Sequence, residues 1–219
     1  EIGSGLVGSE MCIRDRDFTV LFDPGFAQKL QELGHISDAE NITSADMEKI
    51  AAITELDVSG TYENENPGTL TSLQGIEYFE SLTELVCYYN QLTSLDVSAN
   101  MALTELECYD NQLTSLDVSG CTALTMLVCF SNQLTTLDVS ANTALTMLVC
   151  DSNQLTSLDV SANTALTFLE CEDNPGDGVS TFPVTAWFDN DTKPDNLEIY
   201  QEQWTYGGKT ITIEFQKAE

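Results

Sequence analysis

The chain has 219 residues, with 36 acidic side chains against 7 basic ones, one histidine and a net charge of −29. No Lys or Arg lies between Lys49 and Lys193, which excludes nucleic-acid binding by phosphate neutralisation and sets the chain against anionic membrane surfaces. No apolar run approaches the ~20 residues of a membrane span, so no membrane insertion is expected, and a lone His35 removes most Ser-His-Asp, Cys-His and His-metal chemistry.

The first stretch, EIGSGLVGSEMCIRDR, has neither the basic n-region nor the apolar run of a secretory signal. Its L-V-G-S-E-M-C-I-R-D is what the codons of a transposase-type sequencing adapter encode. Residues 1–16 therefore read as a translated adapter outside the fold, and Cys12 with them. Next, DPGFAQKLQELG predicts a short helix with Asp23 as N-cap, Pro24 first and Gly34 as stop; Phe26, Leu30 and Leu33 share one face. TSADMEKIAAI predicts a second helix, capped by Ser44, with Met47, Ile50 and Ala51 inward. Residues 17–52 read as a helical N-terminal cap.

From Ile53 the period changes. Ile53, Leu56 and Val58 begin an irregular repeat whose surplus sits in GTYENENPG, a loop expected on the surface. Then LTELVCYYNQLTSLDVSANMA starts at Leu82, and near copies start at Leu103, Leu124 and Leu145, each 21 residues after the last. A fading copy, LTFLECEDNP, starts at Leu166. This period with L-x-x-L-x-L-x-x-N marks a leucine-rich repeat. The first, fourth and sixth positions (Leu82, Leu85 and Cys87) point into a solenoid, and Leu92, Leu95 and Val97 fill the return half. Asn90, Asn111, Asn132, Asn153 and Asn174, at the ninth position, are read as buried amides that bond neighbouring turns. After Pro175, NLEIYQEQWTYGGKTITIEF alternates like strands, and Gly207-Gly208 signals a hairpin. Ile211, Ile213 and Phe215 would lie on one face over the last coil. The expected fold is a leucine-rich repeat solenoid, mostly β, with parallel strands on its concave face over residues 53–175. A small helical cap precedes it, and a β-hairpin cap follows at 176–219.

Stacking in register turns each repeat position into a ladder. Cys87, Cys108, Cys129, Cys150 and Cys171 read as small buried filler rather than disulfides or a metal site, because a row is not a tetrahedron. Cys121 replaces the asparagine of the other repeats (Asn100, Asn142, Asn163), for no reason visible in the pattern. Asp96, Asp117, Asp138 and Asp159 form a charged row. Serine and threonine hydroxyls and turn N–H groups are its first candidates for relief, with a row of calcium ions as a minor alternative. The third, fifth and seventh positions face outward on the concave side. There Tyr88, Tyr109, Phe130, Met126, Val128, Met147, Val149 and Phe168 make an apolar and aromatic patch with acids at both ends, a candidate binding surface. Cross-strand stacking that only stabilises the sheet is the competing reading. Glu105 and Glu107, on an open sheet with no pocket to shift their pKa, do not suggest an enzyme.

The C-x-x-N-Q-L-T-x-L-D-V-S core and the lead-in ITELDVSGT…LTSLQGIEYFESLTEL resemble the extracellular leucine-rich repeat proteins of Bacteroidota-type bacteria and, more distantly, the internalins. The resemblance implies a secreted or cell-surface, non-enzymatic module without a cofactor. Such a module, expected to be monomeric, would hold a protein or polysaccharide ligand on its concave face. A structural spacer or adhesin stalk without a specific ligand is the alternative. Such relatives often continue into a sorting domain for type IX secretion; none is visible here, which leaves a truncated C-terminus open.

Overall fold

In the repeat from Leu103, the side chains of Leu103, Leu106 and Cys108 are wholly buried while the residues between them reach the surface. That alternation produces one three-residue strand per turn. The computed structural model describes residues 18–61 and 68–218. The adapter reading of residues 1–16 and the tip of the GTYENENPG loop, residues 62–67, lie outside them.

Strands β1 (Glu55–Asp57), β2 (Glu84–Val86), β4 (Glu105–Glu107), β6 (Met126–Val128), β7 (Met147–Val149), β9 (Phe168–Glu170) and β11 (Glu198–Ile199) form one parallel seven-stranded sheet in that order. The pairing is in register, so Leu85, Leu106, Leu127, Leu148 and Leu169 stand side by side. On the return side β3 (Ser94–Asp96) pairs with β5 (Ser115–Asp117). Beyond them β8 (Leu158–Asp159) pairs with β10 (Thr181–Ala186), which pairs with β13 (Lys209–Lys217), and β12 (Gln203–Tyr206) closes the edge. The apolar side chains of both halves meet in one continuous core, so no repeat is self-sufficient.

The turn between the two halves is set by two adjacent residues. The eighth position, Tyr89, Asp110, Ser131, Ser152 and Asp173, is left-handed with φ between 49° and 52°. A non-glycine residue pays roughly 1 kcal/mol for that conformation. The next residue, the ninth-position asparagine, compensates. Asn111 Nδ2 donates to the carbonyl of Cys87 in the preceding turn (3.0 Å) and to those of Cys108 and Tyr109 in its own. Its Oδ1 accepts from Leu92 N–H at 3.0 Å. Asn132, Asn153 and Asn174 repeat this set one turn at a time. The reading of these amides from the sequence therefore holds. A second set went unread: the Oγ1–H groups of Thr104, Thr125, Thr146 and Thr167 each donate to the threonine carbonyl one turn back.

The nineteenth position forms another buried amide column. Asn142 Nδ2 donates to Val118 and Cys121 carbonyls, and Asn163 Nδ2 to those of Val139 and Asn142. The Oδ1 atoms of Asn100, Asn142 and Asn163 are buried without a partner. Cys121 now has an account. Its Sγ–H donates to Val97 carbonyl at 3.1 Å, the bond an asparagine would make, and it carries no orphaned oxygen. It comes with Gly120, where the other repeats have alanine. A Cβ at Gly120 would sit 1.7 Å from the Ser98 carbonyl oxygen, so this turn approaches its neighbour closely and excludes a side chain.

At the N-terminus α1 (Pro24–Glu32) is capped by Asp23, which accepts from Gly25 and Phe26 N–H. Its inner face is Phe26, Ala27 and Leu30; Leu33, expected there, is 42% exposed, because it is the C-cap, past the last packed turn. Helix α2 (Ser44–Ala51) is capped by Thr43, not Ser44. Thr43 has the extended backbone that a cap needs, and it forms a reciprocal capping box with Asp46. Ile50 is buried, and Met47 and Ala51 are half-buried. Burial pushes the Asp46 carboxyl up, but bonds from Thr43, Lys49 and Ser37 outweigh it and hold it at about 2. At the other end β12 and β13 form the expected hairpin through Gly207 and Gly208, both at positive φ. Ile211, Ile213 and Phe215 are buried, and Trp204 Nε1–H donates to the carbonyl of Asn174, the last rung of the ladder. Strand β10, parallel to β13, was not anticipated.

Two outcomes are expected. Asn132→Ala, which strands several buried backbone groups, lowers stability by about 2–4 kcal/mol in urea unfolding, whereas Gln133→Ala on the exposed edge stays within about 0.5 kcal/mol. Gly120→Ala alone destabilises by about 1–3 kcal/mol, and adding Cys121→Asn, which restores the pairing of the other repeats, recovers most of that loss in a double-mutant cycle.

Candidate functional site

The concave sheet presents the third, fifth and seventh positions of each turn. Strand spacing of ~4.8 Å dictates what the seventh-position rings do. Tyr88 and Tyr109 stack with centroids 4.5 Å apart and planes 13° apart, and Tyr109 and Phe130 stack at 4.4 Å and 11°. The three half-buried rings thus cover each other's faces and offer their edges. Burial, reinforced by Tyr88 and Glu107, pushes the Tyr109 hydroxyl up to about 12.

The third-position row runs Met126, Met147, Phe168 in register, and the fifth runs Val128, Val149, Glu170. Met126, Met147, Phe168 and Val128 are half-buried. Val149 contributes little surface, being only 9% exposed. The structure therefore brings the predicted residues together as one patch with Val149 at its floor.

Acids bound this patch. On one side Glu55, Glu84 and Glu105 are direct register neighbours, with Asp57 and Glu107 one ladder over. The expectation that nothing shifts the pair Glu105 and Glu107 fails for Glu107: burial raises its pKa, and Glu84, Glu105 and Asp57 add to the effect. On the other side the seventh-position ladder changes from rings to Asp151 and Glu172. Burial pushes Asp151 up to about 6, against a lowering bond from Ser152 and with help from Glu170. Glu172 is pushed up to about 7, again by burial, against a lowering backbone bond and with help from Glu170 and Asp151. Glu172 Oε2 is buried without a hydrogen-bond partner.

Sequence reasoning missed the last strand of the face. β11 places Glu198 beside Phe168 and carries Tyr200, 62% exposed, just beyond. The alternation in NLEIY was the available signal, but it gives no hint that this segment joins the concave sheet rather than the cap.

The two polar ladders elsewhere are structural in their contacts. The cysteines of the sixth position are buried free thiols, raised by burial. Asp96, Asp117, Asp138 and Asp159 are exposed, and each accepts the N–H of the serine two residues on at 2.9 Å. Serine hydroxyl and backbone bonds lower Asp117 and Asp138. Among the described residues no three His, Cys, Asp or Glu side chains gather as a metal-holding group, and no helix is long and apolar enough to cross a membrane.

Comparison with known proteins gives the same architecture. The functional domain of InlJ from Listeria monocytogenes, described as including a cysteine ladder, superposes with a TM-score of 0.62 at 36% identity. The match covers 82% of this chain and 40% of that one, so the chain spans less than half of the InlJ domain. The leucine-rich repeat protein LIC12759 of Leptospira interrogans superposes at 0.53 with 18% identity, over 75% of this chain and 51% of that one, a likeness of fold alone. No protein-family model and no curated protein matches the sequence. The chain is an internalin-like leucine-rich repeat solenoid.

The raised carboxyls make stability pH-dependent in a defined sense. Glu172 keeps its proton in the folded chain up to pH about 7, whereas an unfolded glutamate loses it near pH ~4.3. Between those values the folded state binds more protons, so this contribution is full below pH ~4.3 and falls as pH rises through about 7. Glu172→Gln is expected to raise the urea midpoint at pH 8 and to lose that advantage at pH 4; an equal gain at both pH values would contradict the assignment.

Proposed function

We propose that this chain is a non-enzymatic protein-binding module, secreted or cell-surface, that holds its ligand on the concave sheet. The observation that carries the reading is the contiguous apolar patch of Met126, Val128, Met147 and Phe168 beside the Tyr88–Tyr109–Phe130 stack, on a sheet face where the described residues place no α-helix beyond the N-terminal cap. Exposed contiguous apolar surface of this kind marks interaction sites. Flexible methionines adapt to a partner, and aromatic side chains anchor one. A protein is favoured over a polysaccharide because the rings are stacked on one another. A sugar ring packs on a free aromatic face, and here the inner faces are taken. Internalin-like neighbours are consistent with the reading.

The test is a pull-down and surface-plasmon measurement against a panel of host and bacterial surface proteins and polysaccharides. It sets the chain beside a variant with Tyr88, Tyr109 and Phe130 changed to Ala. A protein ligand bound by the chain and weakened at least tenfold by the variant, with its melting curve cooperative, is the expected result. A ligand indifferent to the three rings, or no ligand, would move the reading to a spacer or stalk whose ring stack serves sheet packing alone.

A further inference from the structure

The concave face has an order along the solenoid: acid, apolar, acid. Glu84, Glu105 and Glu107 lie on β2 and β4; Met126, Val128 and Met147 follow on β6 and β7; Glu170 lies on β9, with Asp151 just past β7. Among the described residues no cation forms an ion pair at either acidic end. The sequence has no Lys or Arg from residue 50 to residue 192. Neither ion pair among the described residues, Lys49–Asp46 and Lys193–Glu202, involves one of these carboxylates. The carboxylates are half-buried rather than solvated at the tips of long side chains, so each is partly stripped of water and held beside others of its own sign. At the second end, Glu172 Oε2 is buried with no donor at all. Among the described residues no Lys or Arg pairs with this cluster of carboxylates, and a cationic partner would relieve their mutual repulsion.

Resting on the concave-face reading above, we infer that the partner is a protein segment with two cationic side chains flanking an apolar stretch, one meeting Glu105 and Glu107 and the other meeting Asp151 and Glu170. The geometry sets the spacing. From β4 to β9 is three parallel steps, or about 14 Å at ~4.8 Å each. An extended segment laid across the strands rises ~3.3 Å per residue, so cations four positions apart, with three apolar residues between them, match the two acidic ends. Arginine suits both ends better than lysine, since its planar fork bonds carboxylates in pairs and sheds water more readily. The net charge of −29 would speed the encounter with such a segment, and salt would slow it. The raised pKa of Glu107 and Glu170, caused first by burial, fits carboxylates that await a counter-charge.

The experiment uses the full 219-residue chain and dye-labelled, end-blocked peptides read by fluorescence anisotropy at two salt concentrations. The probe is Arg-Leu-Val-Leu-Arg. Its controls are Gln-Leu-Val-Leu-Gln, Arg-Ser-Gly-Ser-Arg and Arg-Leu-Arg. The expected result is a Kd below about 1 mM for the probe, weakened about tenfold in each control and in the Glu107→Gln/Glu170→Gln variant, and weakened by salt. If Gln-Leu-Val-Leu-Gln binds as tightly as the probe and that variant is indifferent, while Val128→Ser/Met147→Ser loses binding, the face binds apolar segments and the cationic inference is overturned. If the probe binds and neither variant changes its Kd, the concave-face reading falls with it. If no peptide binds below about 1 mM, the cationic inference is overturned, and the reading of the face stands on the folded-protein panel.

Discussion

Everything in this solenoid depends on the amide of the ninth-position asparagine. Where the strand ends, the backbone turns through a left-handed residue and leaves carbonyls and N–H groups pointing into a dry interior. One side chain meets three carbonyls and one N–H across two successive turns. An asparagine is the smallest residue that offers both two donors and an acceptor, which accounts for its presence in every turn from Asn90 to Asn174. Buried backbone groups left unpaired cost more than paired ones contribute, so the ladder is what allows a turn this tight to be buried at all.

The same stacking that satisfies the backbone also multiplies any chemistry placed on it. A buried position becomes a uniform column, as with the cysteines and the ninth-position asparagines, and uniformity there is favourable because each rung sees the same surroundings. On the open face it has mixed consequences. Rings at 4.4 to 4.5 Å stack well, whereas glutamates in register repel. The chain ends its ring ladder at Phe130 and places acids beyond it, and those acids carry the most perturbed carboxyls on the concave face.

The two ends show how a stack is closed. Helices α1 and α2 cover the first coil with a cluster of Phe22, Phe26 and Phe79, and the hairpin reaches back through Trp204 to the last asparagine. Both described α-helices belong to the N-terminal cap, and no α-helix is described in the repeats. A sheet face with an apolar middle is the physical basis of the binding reading.

The repeat period, the inward leucines, the asparagine column and the concave patch were legible in the sequence because each follows from local periodicity repeated many times. The helix caps and the Gly207-Gly208 hairpin were legible to within a residue, since their chemistry is local too; the shift from Ser44 to Thr43 shows the limit. Tertiary structure alone decided three things. It decided that β10 and β11 join sheets laid down by residues far behind them, because parallel pairing has no local signal. It decided that Gly120 and Cys121 both meet the preceding turn, at Ser98 and Val97, a contact with no local signal. It also decided that the carboxyls of Asp151, Glu170 and Glu172 are all raised, because burial and proximity, not residue type, set the charge of a carboxyl.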